Sequence, residues 1–333
     1  MNAWVERLKS RASRRELSNH RGETPLHEAC YSGCSVHHVR EILNLWPAQI
    51  ACKDSCGRTP LHWALATKKH HEKAKELLSY WKRFEKQEVE GGGTLQEVKM
   101  LKKALLQKCD LGYTALDHAC TNDAPSAIIE ELLNYCPELA LMMRGDRTPL
   151  HMLILHARSK EMPMKTCSIK LVLDAFPQAV ITRDKQGNLP LHYCCYEKTN
   201  LDSFMIVLNA TAECMRRANV MRNEFGHLPL HCASLSNAPF PVINALIDAY
   251  PSSLVSVDCE GNTALHLACK GGDRISSLLK SRLVDGIEGE SVIWGMTNEK
   301  GLLPLQTSSN LDSWFELLRL VPQCIQNHNI TCD

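Results

Sequence analysis

One nine-residue pattern recurs along this 333-residue chain and constrains its fold more than any other feature. It reads Asp or Asn, two variable residues, Gly, one variable residue, Thr or Leu, Pro or Ala, Leu, and usually His, as in residues 54–62. The leucine is present in every copy: Leu26, Leu61, Leu116, Leu150, Leu191, Leu230, Leu265 and Leu305. A motif that returns at a nearly regular interval predicts an array of repeats rather than one globular core.

Each position of the motif has a physical role. Asp or Asn followed by Gly favours a turn, because the short side chain bonds its own backbone and Gly tolerates positive φ. Thr can cap a helix through its hydroxyl, and Pro fits the first helical position. Leu and the small residues after it, such as Ala29 and Ala64, then form a buried stripe. Each unit is therefore predicted to be a turn, a short capped helix, a second turn and a second helix.

The pattern D-x-x-G-x-T-P-L-H-x-A resembles the ankyrin repeat, and the resemblance covers roughly residues 22–332. It implies an all-α ankyrin-repeat solenoid of about eight helix-turn-helix units, with turn fingertips on one edge. It also implies that the motif histidine stabilises its own turn through local hydrogen bonds. Proteins of this family usually bind other proteins through the inner helices and fingertips, and they have no chemistry of their own.

The chain departs from the family pattern at the end of the second helix, where the family usually has Gly-Ala. Here an aromatic or apolar residue is followed by Pro, at Trp46-Pro47, Cys136-Pro137, Phe176-Pro177, Tyr250-Pro251 and Val321-Pro322. Pro stops a helix, and the residue before it can bury against the neighbouring unit. The last copy, residues 301–306, is more polar than the others and is expected to cap the array, with a closing helix over 311–321.

Two segments fall outside the regular pattern. Residues 1–21 are rich in Arg and Lys and are predicted to be a basic N-terminal capping segment, with a transit peptide or a docking segment as alternatives. The repeat array is expected over 22–333, with a helical insertion at about 68–109, where the motif spacing is longest. That insertion is also basic. It is expected to be either a solvated helical hairpin or a basic docking lobe.

Composition excludes several classes of partner and location. A net charge of +1 gives no global field that would favour nucleic acid or a membrane surface. No apolar run is long enough to span a membrane, and the first residues lack the apolar core of a secretory signal. The 16 cysteines are therefore expected to stay reduced, in the cytoplasm or the nucleus.

Metal binding and catalysis are not expected. Three His and Cys pairs could each place two metal ligands on one helix face: His27/Cys30, His192/Cys195 and His266/Cys269. Each pair belongs to a different unit, however, whereas zinc needs four converging ligands. The sequence also lacks phosphate-binding and nucleophile motifs, so no catalytic residue, cofactor or small-molecule substrate is predicted.

A partner-binding face is predicted at positions that differ between copies, since buried positions repeat. Residues after the motif give an inner apolar strip, and the position between Gly and Thr gives the fingertips. The strip is Trp63, Met152, Tyr193, Tyr196 and Leu267, and the fingertip residues are Arg58, Tyr113 and Arg147. Aromatic, Met and Arg side chains are common interface anchors. Alternatively, the strip packs against the next unit.

The predicted function is a non-enzymatic scaffold or adaptor that binds a protein partner of unknown identity as a monomer. The alternative is a thiol-based, redox-responsive regulatory protein. Cys30, Cys120 and Cys269 occupy motif positions that favour burial, so the candidate sensors are the turn cysteines Cys34, Cys56 and Cys259.

Overall fold

A computed structural model describes residues 18–89, 102–156, 163–196, 199–214, 221–270 and 295–307. The chain divides into two compact units. Unit 1 comprises residues 1–153 and 163–176, and unit 2 comprises residues 154–162 and 177–333. Apart from one isolated bridge between Arg144 and Arg147, the regular structure of the described residues is helical, which confirms the predicted all-α fold class.

Four helical hairpins begin in unit 1. Their helices are α1 (Pro25–Tyr31) and α2 (Val36–Leu45), α3 (Pro60–Leu65) and α4 (His71–Val89), α5 (Ala115–Thr121) and α6 (Ser126–Tyr135), and α7 (Pro149–Leu155) and α8 (Pro163–Ala175). The first helices α1, α3 and α5 contact one another in chain order, and so do the second helices α2, α4, α6 and α8. The motif leucines lie between these layers and are buried. This is the stacking of neighbouring hairpins that the repeat predicted.

Unit 2 repeats the arrangement. Its helices are α9 (Pro190–Tyr196) and α10 (Leu201–Cys214), α11 (Pro229–Ser236) and α12 (Phe240–Ala249), and α13 (Ala264–Lys270). Helices α9, α11 and α13 contact in order, α13 contacts a 3-10 helix at Pro304–Thr307, and α10 contacts α12. The last motif copy thus forms a 3-10 turn in place of an α-helix, and the predicted closing helix at 311–321 lies outside the described residues.

Pro ends the second helix of the hairpins, as predicted, and also begins a 3-10 helix. These 3-10 helices are Pro47–Ala51, Pro137–Leu141, Pro177–Ile181 and Pro251–Ser253. The residue before Pro is buried at Cys136 and Tyr250 and partly exposed at Trp46. The extra turn explains why these repeats are longer than the roughly 33 residues of a plain ankyrin unit.

The two predicted segments outside the pattern are described only in part. Of the N-terminal segment 1–21, residues 1–17 lie outside the described ranges, and so do residues 90–101 of the insertion. The insertion begins within helix α4, which at 19 residues is longer than a plain second helix, and residues 102–105 are helical. Both segment assignments therefore stay proposals.

The fingertip turns are built as the motif predicts. In the turn at Asp54, one carboxylate oxygen accepts the N–H groups of Cys56 and Arg58, both at 2.9 Å. The same arrangement occurs at Asp184, Asn223, Asp258 and Asn298. Glycine is required where turns meet: a Cβ on Gly226, whose φ is +74°, would lie 2.7 Å from the Cys259 nitrogen. Adjacent turns can then bond directly, with the Cys259 N–H donating to the Phe225 carbonyl at 3.1 Å.

The motif histidine is the helix cap and also the link to the next repeat. In α1 the Thr24 N–H and hydroxyl both donate to His27 Nδ1, at 3.1 and 2.9 Å. The proton therefore sits on Nε2, which donates to the Arg58 carbonyl of the next turn at 3.0 Å. The same Nε2 link joins His62 to Tyr113, His192 to His227, His231 to Ser256 and His266 to Leu302.

Threonine caps the helix as predicted, and the histidine adds a second acceptor to the cap. The threonine hydroxyl accepts a helix N–H in the repeats of Thr114 and Thr263, as expected of a capping side chain. Where Leu189 and Leu228 replace Thr, the histidine Nδ1 still accepts the backbone N–H, at 3.0 Å in both cases. The cap therefore depends on the imidazole more than on the hydroxyl.

Burial keeps these rings neutral. It lowers the pKa of His62, His192 and His231 to about 4, and it also lowers the pKa of His27 and His266. Protonation would remove the Nδ1 acceptor and place a charge between two repeats.

Asp117 replaces the histidine in the third copy. The Thr114 N–H and hydroxyl donate to its Oδ2 at 2.8 and 2.9 Å, so the cap is kept. Its Oδ1 is buried and has no hydrogen-bond partner among the described residues, and burial raises the pKa of this carboxyl. An ionised carboxylate has no N–H to donate to the next turn, so this junction lacks the link that the histidines provide.

We expect stability to fall as the pH is lowered from about 6.5 to about 4. In that window the unfolded chain binds protons at histidines that the folded chain keeps neutral, so the unfolding free energy decreases; below it these groups cause no further loss. Urea unfolding across this pH range measures the slope. Gln306 already accepts the cap N–H of Leu303 at 2.8 Å, so a His62→Gln, His192→Gln, His231→Gln variant keeps an acceptor and should show a shallower slope.

The matched control for this pH experiment is His20→Gln, because His20 is exposed and should leave the slope unchanged. An unchanged slope in the triple variant would contradict the assignment of the pH dependence to the buried rings.

Asp117→His and Asp117→Asn should each raise the free energy of unfolding by about 1–2 kcal/mol, because each supplies an N–H where a buried oxygen is now unpaired. Urea denaturation at neutral pH measures the change. Asp110→Asn, at an exposed position in the adjacent turn, is the control and should have no effect. If both Asp117 variants were less stable than the original chain, the junction would not be limited by the missing donor.

Candidate functional site

An aromatic and arginine cluster lies on the inner-helix and fingertip side of unit 1. Tyr31, at the end of α1, is 54% exposed, and its ring meets Trp63 of α3 edge-to-face at 5.1 Å. The Arg58 guanidinium lies over the Trp63 ring at 4.3 Å. Asp54 fixes both side chains, since its Oδ2 accepts the Trp63 indole N–H at 2.9 Å and the Arg58 Nε at 2.8 Å. These two aromatic rings and this guanidinium are therefore held in place.

The next repeat continues the cluster. The Tyr113 ring stacks on His118 of α5 at 4.8 Å, and the Arg144 guanidinium lies 3.6 Å from the centre of the Tyr113 ring. His118 meets His62 edge-on at 5.7 Å. The cluster defined by Tyr31, Arg58, Trp63, Tyr113, His118 and Arg144 is called the unit 1 cluster below.

His118 is the electrostatic centre of this cluster. Burial, together with the proximity of His62, Arg58 and Arg144, lowers its pKa to about 4. Both arginines are therefore near the ring. The His118 Nε2 atom is buried and has no hydrogen-bond partner among the described residues.

Most of the predicted apolar strip is not accessible. Met152 is 3% exposed, Tyr193 8% and Leu267 4%, so these side chains belong to the core and the prediction that they present a surface to a partner is corrected. Trp63 is partly exposed and Tyr196 is 39% exposed. A role for Trp63 and Tyr196 in binding stays a prediction.

The buried Tyr193 hydroxyl has a hydrogen-bond partner inside the protein. Its hydroxyl donates to Asp184 Oδ2 at 2.5 Å. Trp63 makes the equivalent bond to Asp54, nine residues earlier in both repeats. A side-chain donor on the residue directly after the motif histidine therefore reaches the Asp of its own turn. The indole of Trp63 is bulkier than the Tyr193 ring and remains partly exposed.

The predicted fingertip residues Arg58, Tyr113 and Arg147 are all partly exposed. Arg58 and Tyr113 belong to the unit 1 cluster, whereas the Arg147 backbone pairs with Arg144 across the turn. The prediction omitted Tyr31 and Arg144. Tyr31 occupies the same motif position as Tyr196 and could have been found, but Arg144 is displaced because its turn is one residue shorter.

The cysteines divide by position. Cys30, Cys120 and Cys269 are buried at their motif positions, and burial raises the pKa of the Cys269 thiol to about 12, which opposes thiolate formation. Of the predicted sensors, Cys56 and Cys259 are exposed, and the Cys34 thiol donates to the Ala29 carbonyl at 3.0 Å. The redox alternative therefore stays a prediction for the turn cysteines only.

In the ranges that the structure describes, His, Cys, Asp and Glu side chains form no group of three or more that could hold a metal ion. The histidine of the predicted pair His27/Cys30 uses both ring nitrogens for hydrogen bonds. No helix among the described residues combines the length and the apolarity that crossing a bilayer requires.

Comparison with known proteins agrees with this architecture. The family model described as ankyrin repeats, in three copies, matches residues 2–88. The crystal structure of the ankyrin repeat domain of Bcl-3, described as a unique member of the IkappaB protein family, matches with a TM-score of 0.54. That match covers 79% of this chain and 99% of the Bcl-3 chain, at 18% sequence identity. The chain has the ankyrin-repeat fold.

Ankyrin repeats generally mediate protein–protein interaction, and ankyrin-repeat domains are typically non-enzymatic binding modules. At 18% identity, the likeness to the Bcl-3 ankyrin domain shows a shared fold and nothing about its partners. No curated protein matches this ankyrin-repeat sequence significantly. The matched family range begins at residue 2, within the segment predicted to cap the ankyrin array.

Tyr193→Phe should lower the free energy of unfolding of this ankyrin-repeat protein by about 1.5–3 kcal/mol, because a buried carboxylate loses a hydrogen bond. Urea denaturation measures the loss. Tyr31→Phe removes an exposed hydroxyl and is the matched control, expected to have no effect on stability. Equal stability of Tyr193→Phe and the original chain would contradict the role assigned to this hydroxyl.

Proposed function

We propose that this chain is a non-enzymatic scaffold that binds a protein partner on the inner-helix and fingertip face of unit 1. The observation that supports this best is the unit 1 cluster, in which an exposed tyrosine, a partly exposed tryptophan, Tyr113 and two arginines lie on four consecutive repeats. Trp, Tyr and Arg are the residue types that most often dominate the binding energy of protein interfaces.

Rigidity favours the same surface. Asp54 holds Trp63 and Arg58 through two hydrogen bonds, and Tyr113 is stacked between repeats by His118 and Arg144 contacts. Side chains that are already ordered lose less entropy when a partner binds, so more of the contact energy is available for affinity. The adjacent fingertips also supply Leu111, which is 77% exposed.

Arg147 and Tyr196 are proposed as further contacts of the scaffold, each on its own unit. We further propose that the protein acts as a monomer in the cytoplasm or the nucleus, without a cofactor or a small-molecule substrate, since its net charge is +1 and its motif cysteines are buried free thiols.

Tyr31→Ala and the double variant Tyr31→Ala, Trp63→Ala should abolish partner capture while the protein remains folded. The expected loss is about 2 kcal/mol or more of binding free energy for the double variant, as for central aromatic anchors. Quantitative affinity capture by wild-type and variant chains measures the difference, and thermal melting checks the fold.

Leu45→Ala is the control for this capture experiment, because Leu45 is 47% exposed on the outer helix α2 of the same unit. It should retain the proteins that the wild type captures. Retention of the same proteins by the folded double variant would contradict the proposed binding face.

A further inference from the structure

Two guanidinium groups in the unit 1 cluster keep hydrogen-bond donors available. The Arg58 side chain uses only its Nε, on Asp54, and its two Nη atoms have no partner among the described residues. The Arg144 side chain is stacked on Tyr113, and no hydrogen bond or ion pair involves it in the described part of the chain. Stacking fixes the plane of a guanidinium but leaves its edge free to bind an acceptor.

The charges of these two arginines both act on His118. Both charges lower the pKa of this ring, and the ring itself stacks on Tyr113, over which Arg144 lies. Its Nε2 is buried without a partner, although buried polar atoms are nearly always hydrogen-bonded. The cluster therefore holds two guanidinium groups whose Nη atoms have no acceptor among the described residues.

The chemistry of these donors favours a carboxylate. Two carboxylate oxygens match the two parallel N–H bonds of a guanidinium, and such charge-assisted pairs are among the strongest hydrogen bonds in proteins. A polyanion is less well matched, because Asp54 and Asp110 lie in the same fingertip turns and the whole chain carries a net charge of only +1. One acidic side chain fits this site better than a phosphate backbone.

An apolar side chain would bind next to it. Tyr31 and Trp63 present their rings beside Arg58, which lies over the Trp63 ring. Acidic and apolar residues that are close in a partner segment could thus contact Arg58 and the two rings together.

We propose that Arg58 and Arg144, next to His118, form a subsite for an Asp or Glu side chain of a protein partner, adjacent to an apolar residue that packs on Tyr31 and Trp63. This inference rests on the proposed function, and it specifies the chemistry of the segment that the face binds.

The test uses short random peptides displayed on phage and selected on the full chain. Synthetic versions of the selected peptides are then titrated by fluorescence anisotropy. We expect them to contain Asp or Glu near an aromatic or aliphatic residue. The double variant Arg58→Gln, Arg144→Gln should bind these peptides about tenfold more weakly or worse, as for the loss of a desolvated charge pair. Arg144→Gln alone should also weaken it, and this variant breaks no ion pair of the described structure.

Lys82→Gln, Lys103→Gln is the matched control, because it removes the same charge from exposed positions outside the unit 1 cluster. It should change affinity less than about twofold. Replacing the acidic residue of the peptide with its amide should weaken binding to the wild type and have little further effect on the double arginine variant.

Different failures have different meanings. If the selected peptides lack acidic residues, or if the arginine variants bind them normally while Tyr31→Ala weakens binding, the carboxylate subsite is wrong and the proposed face remains. If neither the arginine variants nor Tyr31→Ala changes binding, the proposed function fails as well. If a fluorescent single-stranded oligonucleotide binds more tightly than the peptides and needs both arginines, the site is a nucleic-acid site and the inference is overturned.

Discussion

A neutral histidine ring shared between consecutive repeats is the interaction on which most of this structure depends. Imidazole is a rigid planar group with an acceptor nitrogen and a donor N–H on the same ring. In the repeat of His27, Nδ1 accepts the N–H that begins helix α1, and Nε2 donates to the carbonyl of the next fingertip. One side chain therefore fixes the start of its own helix and the position of the neighbouring turn. This explains why the ring is fully buried, and why its neutral form is the one that the fold can use.

The same bonds give the candidate binding face its support. Because the Tyr113 carbonyl is held by His62, and the Arg58 carbonyl by His27, the fingertip residues project from anchored backbone. Asp54 then orients the side chains of Arg58 and Trp63. Exposed aromatic and arginine groups are thus carried by a rigid scaffold, which favours precise placement of contact groups over adaptation to many shapes.

The sequence predicts the repeated part of the fold well and the unrepeated part poorly. Turns, buried leucines and the Pro-terminated second helices follow from local chemistry, so the motif alone indicates them. The exposure of the side chain after the motif histidine cannot be predicted from the motif. It depends on side chains of neighbouring repeats and on individual hydrogen bonds. Tyr193 and Trp63 occupy equivalent positions and both bond an Asp, yet only Tyr193 is buried. The contribution of Arg144 was hidden by a turn that is one residue shorter than the others.

The histidine links of the described residues run in one direction only, from a repeat to the one that follows, so the array has a polarity. Removing a repeat from the N-terminal side of a junction frees a carbonyl, which water can satisfy easily. Removing one from the C-terminal side exposes the histidine ring that donated to it, and burial then no longer keeps that ring neutral. In the last described turn the donor ring is replaced by Gln306, whose amide is exposed to solvent. An ankyrin array cut behind a histidine would therefore end in a cap that acid can break, whereas an end formed by Gln306 carries no titratable ring.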